Sequence, residues 1–121
     1  MSAFPTTNYI ETILNLIKTG HYLALYTVAP TVSGGGTEVT GGSYARIALT
    51  FGSITAGAMS NTVAVTFTGL PATTITHFGI ISASTGGTLK VFGALNSTAA
   101  VISGDQVQFP IGSITVNLSG S

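Results

Sequence analysis

At Gly20 the hydrophobic period of the chain changes from 3.6 residues to 2, and this change restricts the possible folds severely. Before it, Ile10, Ile13, Leu14 and Ile17 recur at i, i+3, i+4 and i+7, which places four branched side chains on one helical face. A helix is therefore predicted between Thr6 and Gly20. Asn8 with Glu11 three residues on reads as a variant capping box, Lys18 complements the last turn, and Gly20 is suited to a left-handed stop. About three turns of helix are marginal alone, so the apolar face must dock on this domain's own sheet or on a neighbouring subunit.

After Gly20 the pattern is that of strands. Candidates are His21–Val28, Ser43–Phe51, Thr62–Thr68, Thr73–Ser82, Thr88–Leu95, Gln106–Phe109 and Ser113–Leu118, with Ala99–Ile102 as a further short one. Each is rich in Val, Ile, Thr, Phe or Tyr and is bounded by Gly, Pro, Asn or Ser. Val63, Val65 and Phe67 should face one side, as should Ile114, Val116 and Leu118. Thr85–Gly86–Gly87 reads as a hairpin connection and Gly104–Asp105 as a tight turn. No βαβ rhythm is present. The expected fold is all-β, an antiparallel β-sandwich or jelly roll with one short N-terminal α-helix. The predicted organisation is an N-terminal segment and helix over 1–20, followed by a β-sandwich domain over 21–121. That domain carries a long Gly-rich arm at 29–42, since irregular loops of this length are uncommon in compact domains and usually functional or disordered.

Composition bears on function. Only 5% of the 121 residues are charged (Glu11, Lys18, Glu38, Arg46, Lys90 and Asp105), and the formal net charge is zero. Typical soluble domains carry about 25% charged residues, and near-neutral surfaces associate. A low-charge monomer is one reading. The preferred reading is that much of the surface is buried in a permanent assembly, because obligate interfaces are apolar and depleted of charge at their centres. Three dispersed cations cannot track a phosphate backbone, so no nucleic-acid partner is expected. No run approaches the ~20 apolar residues of a membrane helix, and neither tryptophan nor paired aromatic girdles support an outer-membrane barrel, so no membrane partner is expected. The start Met-Ser-Ala-Phe-Pro lacks the pattern of a secretory signal.

Catalytic chemistry is not expected either. The three acids occupy separate contexts (helix start, loop and hairpin tip), with no pair spaced for general acid and base. Cysteine is absent, and His21 and His77 have few nearby carboxylates, so neither a metal nor a cofactor is expected. His77 reads as a hydrogen-bonded structural residue rather than a ligand. Gly34–Gly36 lacks the Gly-Lys-Ser/Thr continuation of a phosphate loop.

Two stretches carry a family resemblance. Gly34-Gly-Gly-Thr-Glu-Val-Thr-Gly-Gly-Ser-Tyr-Ala-Arg46 and Thr76-His-Phe-Gly79, with Gly86-Gly87 and Gly104-Asp105, resemble a family of small tailed-phage virion proteins. Members include tail-fibre-like, minor structural and capsid decoration proteins. The resemblance runs from about Leu23 to Leu118 and includes Ala24-Leu-Tyr-Thr-Val-Ala-Pro30. Where the family pattern would have a Trp, this chain has Ala72-Thr-Thr-Ile75. The resemblance implies a non-enzymatic virion component. The first expectation is a capsid decoration (cement) protein that binds the major capsid protein and forms a homotrimer. The alternative is a tail-fibre or receptor-binding module whose partners are tail proteins or a host glycan. Expected interface residues are Phe4, Tyr9, Thr37, Glu38, Val39, Tyr44 and Arg46, the last two on one face after the arm. For Arg46 a second possibility is an ion pair with Glu38 across the base of the loop.

Overall fold

The computed structural model describes residues 1, 3 and 6–118. Within them the change of period at Gly20 is realised as one helix followed by nine strands. Helix α1 spans Thr7–Ile17, and Gly20 (φ 72°) follows it in the left-handed region. Its N-cap is Thr6 rather than Asn8: the Thr6 Oγ1 accepts a hydrogen bond from the Tyr9 N–H at 3.3 Å. Glu11 consequently lies beyond the first turn, and Lys18 is the C-cap. Ile10, Leu14 and Ile17 are buried and join the same apolar cluster as the strands. Burying three branched side chains contributes about 2 kcal/mol each, which offsets the weakness of so short a helix. The helix docks on its own domain.

The strands are β1 (Tyr22–Val28), β2 (Thr37–Glu38), β3 (Ile47–Ala48), β4 (Ala58–Ser60), β5 (Val65–Leu70), β6 (Thr73–Ile81), β7 (Leu89–Val101), β8 (Asp105–Phe109) and β9 (Thr115–Asn117). All pairings are antiparallel. One sheet runs β2-β1-β6-β7, with β3 also paired to β1; the ladders β4–β9 and β5–β8 stand apart from it. The sheet and both ladders share a core to which β1 gives Leu23 and Leu25, β6 gives Ile75 and Ile80, β5 gives Val65 and Phe67, and β4 and β9 give Met59 and Val116. The antiparallel all-β sandwich with one short helix is the fold.

Several boundaries differ from expectation, each for a tertiary reason. Ser43–Phe51 is not a continuous strand: Ile47–Ala48 pairs with β1, and Phe51 bridges to Asn61, because this stretch crosses between layers. Strand β5 begins at Val65, leaving Val63 57% exposed rather than aligned with Val65 and Phe67. The two segments Thr88–Leu95 and Ala99–Ile102 belong to one strand interrupted by a bulge, for Ala94 faces His77 whereas Ala99 faces Ile75. The ladder strand β4 was not foreseen, being only three residues long.

The Gly-rich segment 29–42 does not extend outward as an arm. Thr31 and Gly34 exchange backbone hydrogen bonds of 2.7 and 2.8 Å, and Thr37 and Glu38 return alongside Val28 and Tyr26. Gly36 makes this return possible: its φ is +74°, and a Cβ there would lie 2.8 Å from the Val28 carbonyl oxygen and the Pro30 nitrogen.

Asn61 joins the loops at one end of the core. It is 1% exposed, its Nδ2 donates to the carbonyls of Val63 (2.9 Å) and Pro110 (3.1 Å), and its Oδ1 accepts from the Ile114 N–H (2.9 Å). Every side-chain polar atom of this amide is used, and two backbone bonds, to Ile114 and from Gly112, reinforce it. Asn61→Ala would leave the Val63 carbonyl and the Ile114 N–H without a partner and would remove one of the donors to the Pro110 carbonyl, which Ser113 also serves. The expected outcome is a loss of about 3 kcal/mol in urea unfolding at neutral pH; a change within 0.5 kcal/mol would show that these bonds are not needed.

Candidate interaction surfaces

Three of the residues expected at an interface are brought together on the sheet. Glu38 on β2 lies opposite Tyr26 on β1. Its carboxylate accepts from the Arg46 guanidinium in a two-pronged pair, Nε to Oε2 at 2.9 Å and Nη2 to Oε1 at 2.8 Å, and Oε2 also accepts from the Tyr44 hydroxyl at 2.6 Å. The Arg46 Nη1 donates onward to the carbonyls of Ala83 (3.0 Å) and Gly86 (2.8 Å) in the β6–β7 hairpin. The Tyr44 oxygen in turn accepts from the Leu25 N–H at 3.0 Å, and its ring stacks on Phe67. One carboxylate thus fixes four segments of chain: β1, the returning Gly-rich segment, the 44–46 stretch and the hairpin tip.

The local reason is geometric. A planar guanidinium can satisfy a carboxylate with one edge and two carbonyls with the rest, which an ammonium cannot do. Burial alone would raise the Glu38 carboxyl, but hydrogen bonds from Arg46 and Tyr44, together with the Arg46 charge, outweigh it and hold the group below the usual carboxylate range. Burial, and the bond donated to Glu38, push the Tyr44 phenol well above its ordinary value. The hydrogen bond to Glu38 strengthens the protonated form of Arg46.

The remaining expected residues fall elsewhere. Tyr9 stands 59% exposed on α1, close in helical position to Leu16, which is 71% exposed. Thr37 is exposed on β2. Val39 is buried in the core, its N–H bonded to the Leu25 carbonyl at 2.9 Å, so the folded chain does not present its side chain. Phe4 lies outside the described residues. His77 is held by a 2.8 Å hydrogen bond between its Nδ1 and the Thr76 hydroxyl.

A second surface has no counterpart in the sequence reading. A cleft of about 790 Å³ opens beside β7, and its lining includes Phe78, Val91, Leu95, Phe109, Ile114 and Leu118. None of its lining residues is charged. A sequence signal did exist: between Lys90 and Asp105 the chain contains no ionic group.

Comparison with known proteins adds one match. A family model described as podophage GP4 fiber I protein gp80 matches residues 16–117, most of the chain. Among curated proteins no match was found. The matched span contains Glu38, Tyr44, Arg46, the hairpin they hold and every residue lining the β7 cleft but Leu118, whereas most of α1 precedes it.

The Glu38 network yields a pH signature with a definite sign. Its folded-state carboxyl titrates below the unfolded one, so its stabilising effect is complete above the unfolded value, near pH 4.5, and is lost as pH falls through the folded value. Thermal unfolding of the native chain should therefore drop in midpoint below that pH, and the Glu38→Gln chain should be less stable at neutral pH but show a smaller acid decline. Arg46→Lys should cost about 2 kcal/mol in denaturant titration. Parallel pH profiles for native and Glu38→Gln chains would contradict this account.

Proposed function

The chain belongs to the podophage GP4 fiber I protein gp80 family, and from that premise we propose that it is a non-catalytic subunit of a phage fibre. At the coarser level it is a structural protein of the phage particle. The family match carries the fibre reading, since its description names a fibre and no shell component. Capsid decoration, the first expectation from the sequence, therefore gives way to the tail-fibre alternative as the preferred role.

The physical features support a part that works by packing. With six charges in the chain, two of them spent on each other in the Glu38–Arg46 pair, the outer surface is largely neutral. Such a surface suits permanent contact with other fibre or tail proteins. A cluster of exposed aromatic side chains would favour glycan recognition, but Tyr26 is buried and Tyr44 is engaged with Phe67 and Glu38, which leaves Tyr9 exposed on α1 and Tyr22 half-buried on β1. Contacts with neighbouring polypeptides are accordingly the favoured role over a sugar-binding one.

The test is location. Antibody-gold labelling of intact particles, paired with quantitative mass spectrometry, should place the protein on tail-associated fibres at a few copies per particle. Labelling spread over the shell at high copy number, or absence from purified particles, would overturn the proposal.

A further inference from the structure

The end of the β6–β7 hairpin is fastened differently from the rest of the fold. Residues 83–87 belong to neither strand, and Ser84–Gly87 are exposed. A Cβ at Gly86 would meet no atom within 4 Å, and the nearest atoms to one at Gly87 belong to Ser82 and Ala83. The base closes on itself: the Ser82 N–H donates to the Thr88 carbonyl at 3.1 Å, and the Thr88 N–H to Ser82 Oγ at 2.9 Å. Among the described residues, the only hydrogen bonds that reach Ala83–Gly87 from elsewhere in the chain are the two from Arg46 Nη1. One side chain therefore ties down the tip, and Glu38 orients that side chain through its two-pronged pair.

Two features separate this tip from the core. The register moves from Ile80↔Val91 to Ile81↔Leu89, which sets Lys90 in a bulge beside the base of the tip. Ile81 and Leu89 pack with Ala24 and Tyr26 in a small apolar cluster of their own, apart from the main core. Opening of the tip can therefore stop at the bulge, leaving the ladder beyond it paired.

We propose that residues 82–88 are a strap with two states, latched on Arg46 or free, that the Glu38–Arg46 pair is the latch, and that sheet and core stay folded in both. The latch holds while Glu38 is charged. A proton on the carboxyl removes the charge that orients the guanidinium, so the strap is released as pH falls through the folded carboxyl value. Arg46, Tyr44 and Tyr26 are the charged and titratable groups facing this carboxylate. His77 lies one strand farther, opposite Tyr26, Lys90 is exposed in its bulge, and the tip itself carries no titratable group. The shape of one outward polar loop thus follows the charge of a single half-buried acid. This holds or fails independently of where the protein sits on the particle.

Limited digestion by trypsin at neutral pH, with fragments read by mass spectrometry, provides the test. The chain has three sites for this protease: Lys18 at the helix end, Arg46 in the latch and Lys90 at the foot of the strap. Glu38→Gln keeps the shape of the side chain without its charge, and Arg46→Lys keeps the charge without the fork. In either chain, cleavage after Lys90 should quicken about tenfold or more relative to cleavage after Lys18, since proteolysis follows the population of the open form. Asn61→Ala, which weakens the fold through a different set of bonds, should leave that ratio unchanged. In the native chain, amide hydrogen exchange at Ser84–Thr88, corrected for intrinsic rates, should quicken relative to Leu23–Leu25 on moving from neutral to acid pH. An unchanged cleavage ratio in Glu38→Gln and Arg46→Lys, an equal rise in Asn61→Ala, or exchange that quickens in parallel at both segments would each overturn the proposal.

Discussion

A carboxylate removed from water is costly unless donors replace the hydration it gives up. In this protein that requirement falls on Glu38, and meeting it organises much of the fold. The Arg46 fork and the Tyr44 hydroxyl must converge on one point, which forces the stretch between them and Glu38 to turn sharply and forces the Gly-rich segment back onto β1. The guanidinium is then left with a donor group that the carbonyls of Ala83 and Gly86 use, so the β6–β7 hairpin is held by the same charge. Removing the carboxylate would leave a half-buried guanidinium with one side unmatched. The chain around it is therefore held at more points than a glycine-rich sequence suggests.

The two stretches that carry the family resemblance acquire a physical meaning from this arrangement. Glu38, Tyr44 and Arg46 come from the first stretch, and Gly86 supplies an accepting carbonyl. The second stretch ends in Gly79, across which the Tyr26 ring and the Leu89 side chain lie; a Cβ there would come within 2.9 Å of both. What reads in the sequence as a recurring motif is, in the structure, a clamp. Its first effect is on the monomer's own architecture, and any outward contact by Arg46 or Glu38 would have to share atoms already engaged.

Local chemistry made the helix, the long strands and the hairpins legible, because apolar period, glycine position and turn composition act within a few residues. Ile10, Leu14 and Ile17 could be assigned to one buried face from spacing, although Ile13, read with them, is only half-buried; the Gly104–Asp105 turn was plain, with Asp105 Oδ2 accepting from the Ile102 N–H at 3.0 Å. The features that escaped depend on partners far along the chain. Nothing next to Asn61 in the sequence points to its role, which needs Pro110 and Ile114, about fifty positions away. Strands β2, β3 and β4 are too short to show a period, and Val63 alternates correctly yet has no layer above it. The Glu38–Arg46 pair could be suspected from eight residues of separation, but not the hairpin carbonyls that complete it.

The neutrality of the cleft beside β7 has a consequence for the conditions under which such a part would work. Attraction between ionic groups fades as electrolyte is added, over a Debye length of about 8 Å at physiological strength. A joint lined only by apolar and uncharged polar atoms has no such attraction to lose, so it would hold in dilute buffer and in brine alike. Its weakness would be cold rather than salt, since the driving force for covering apolar surface declines as water is chilled.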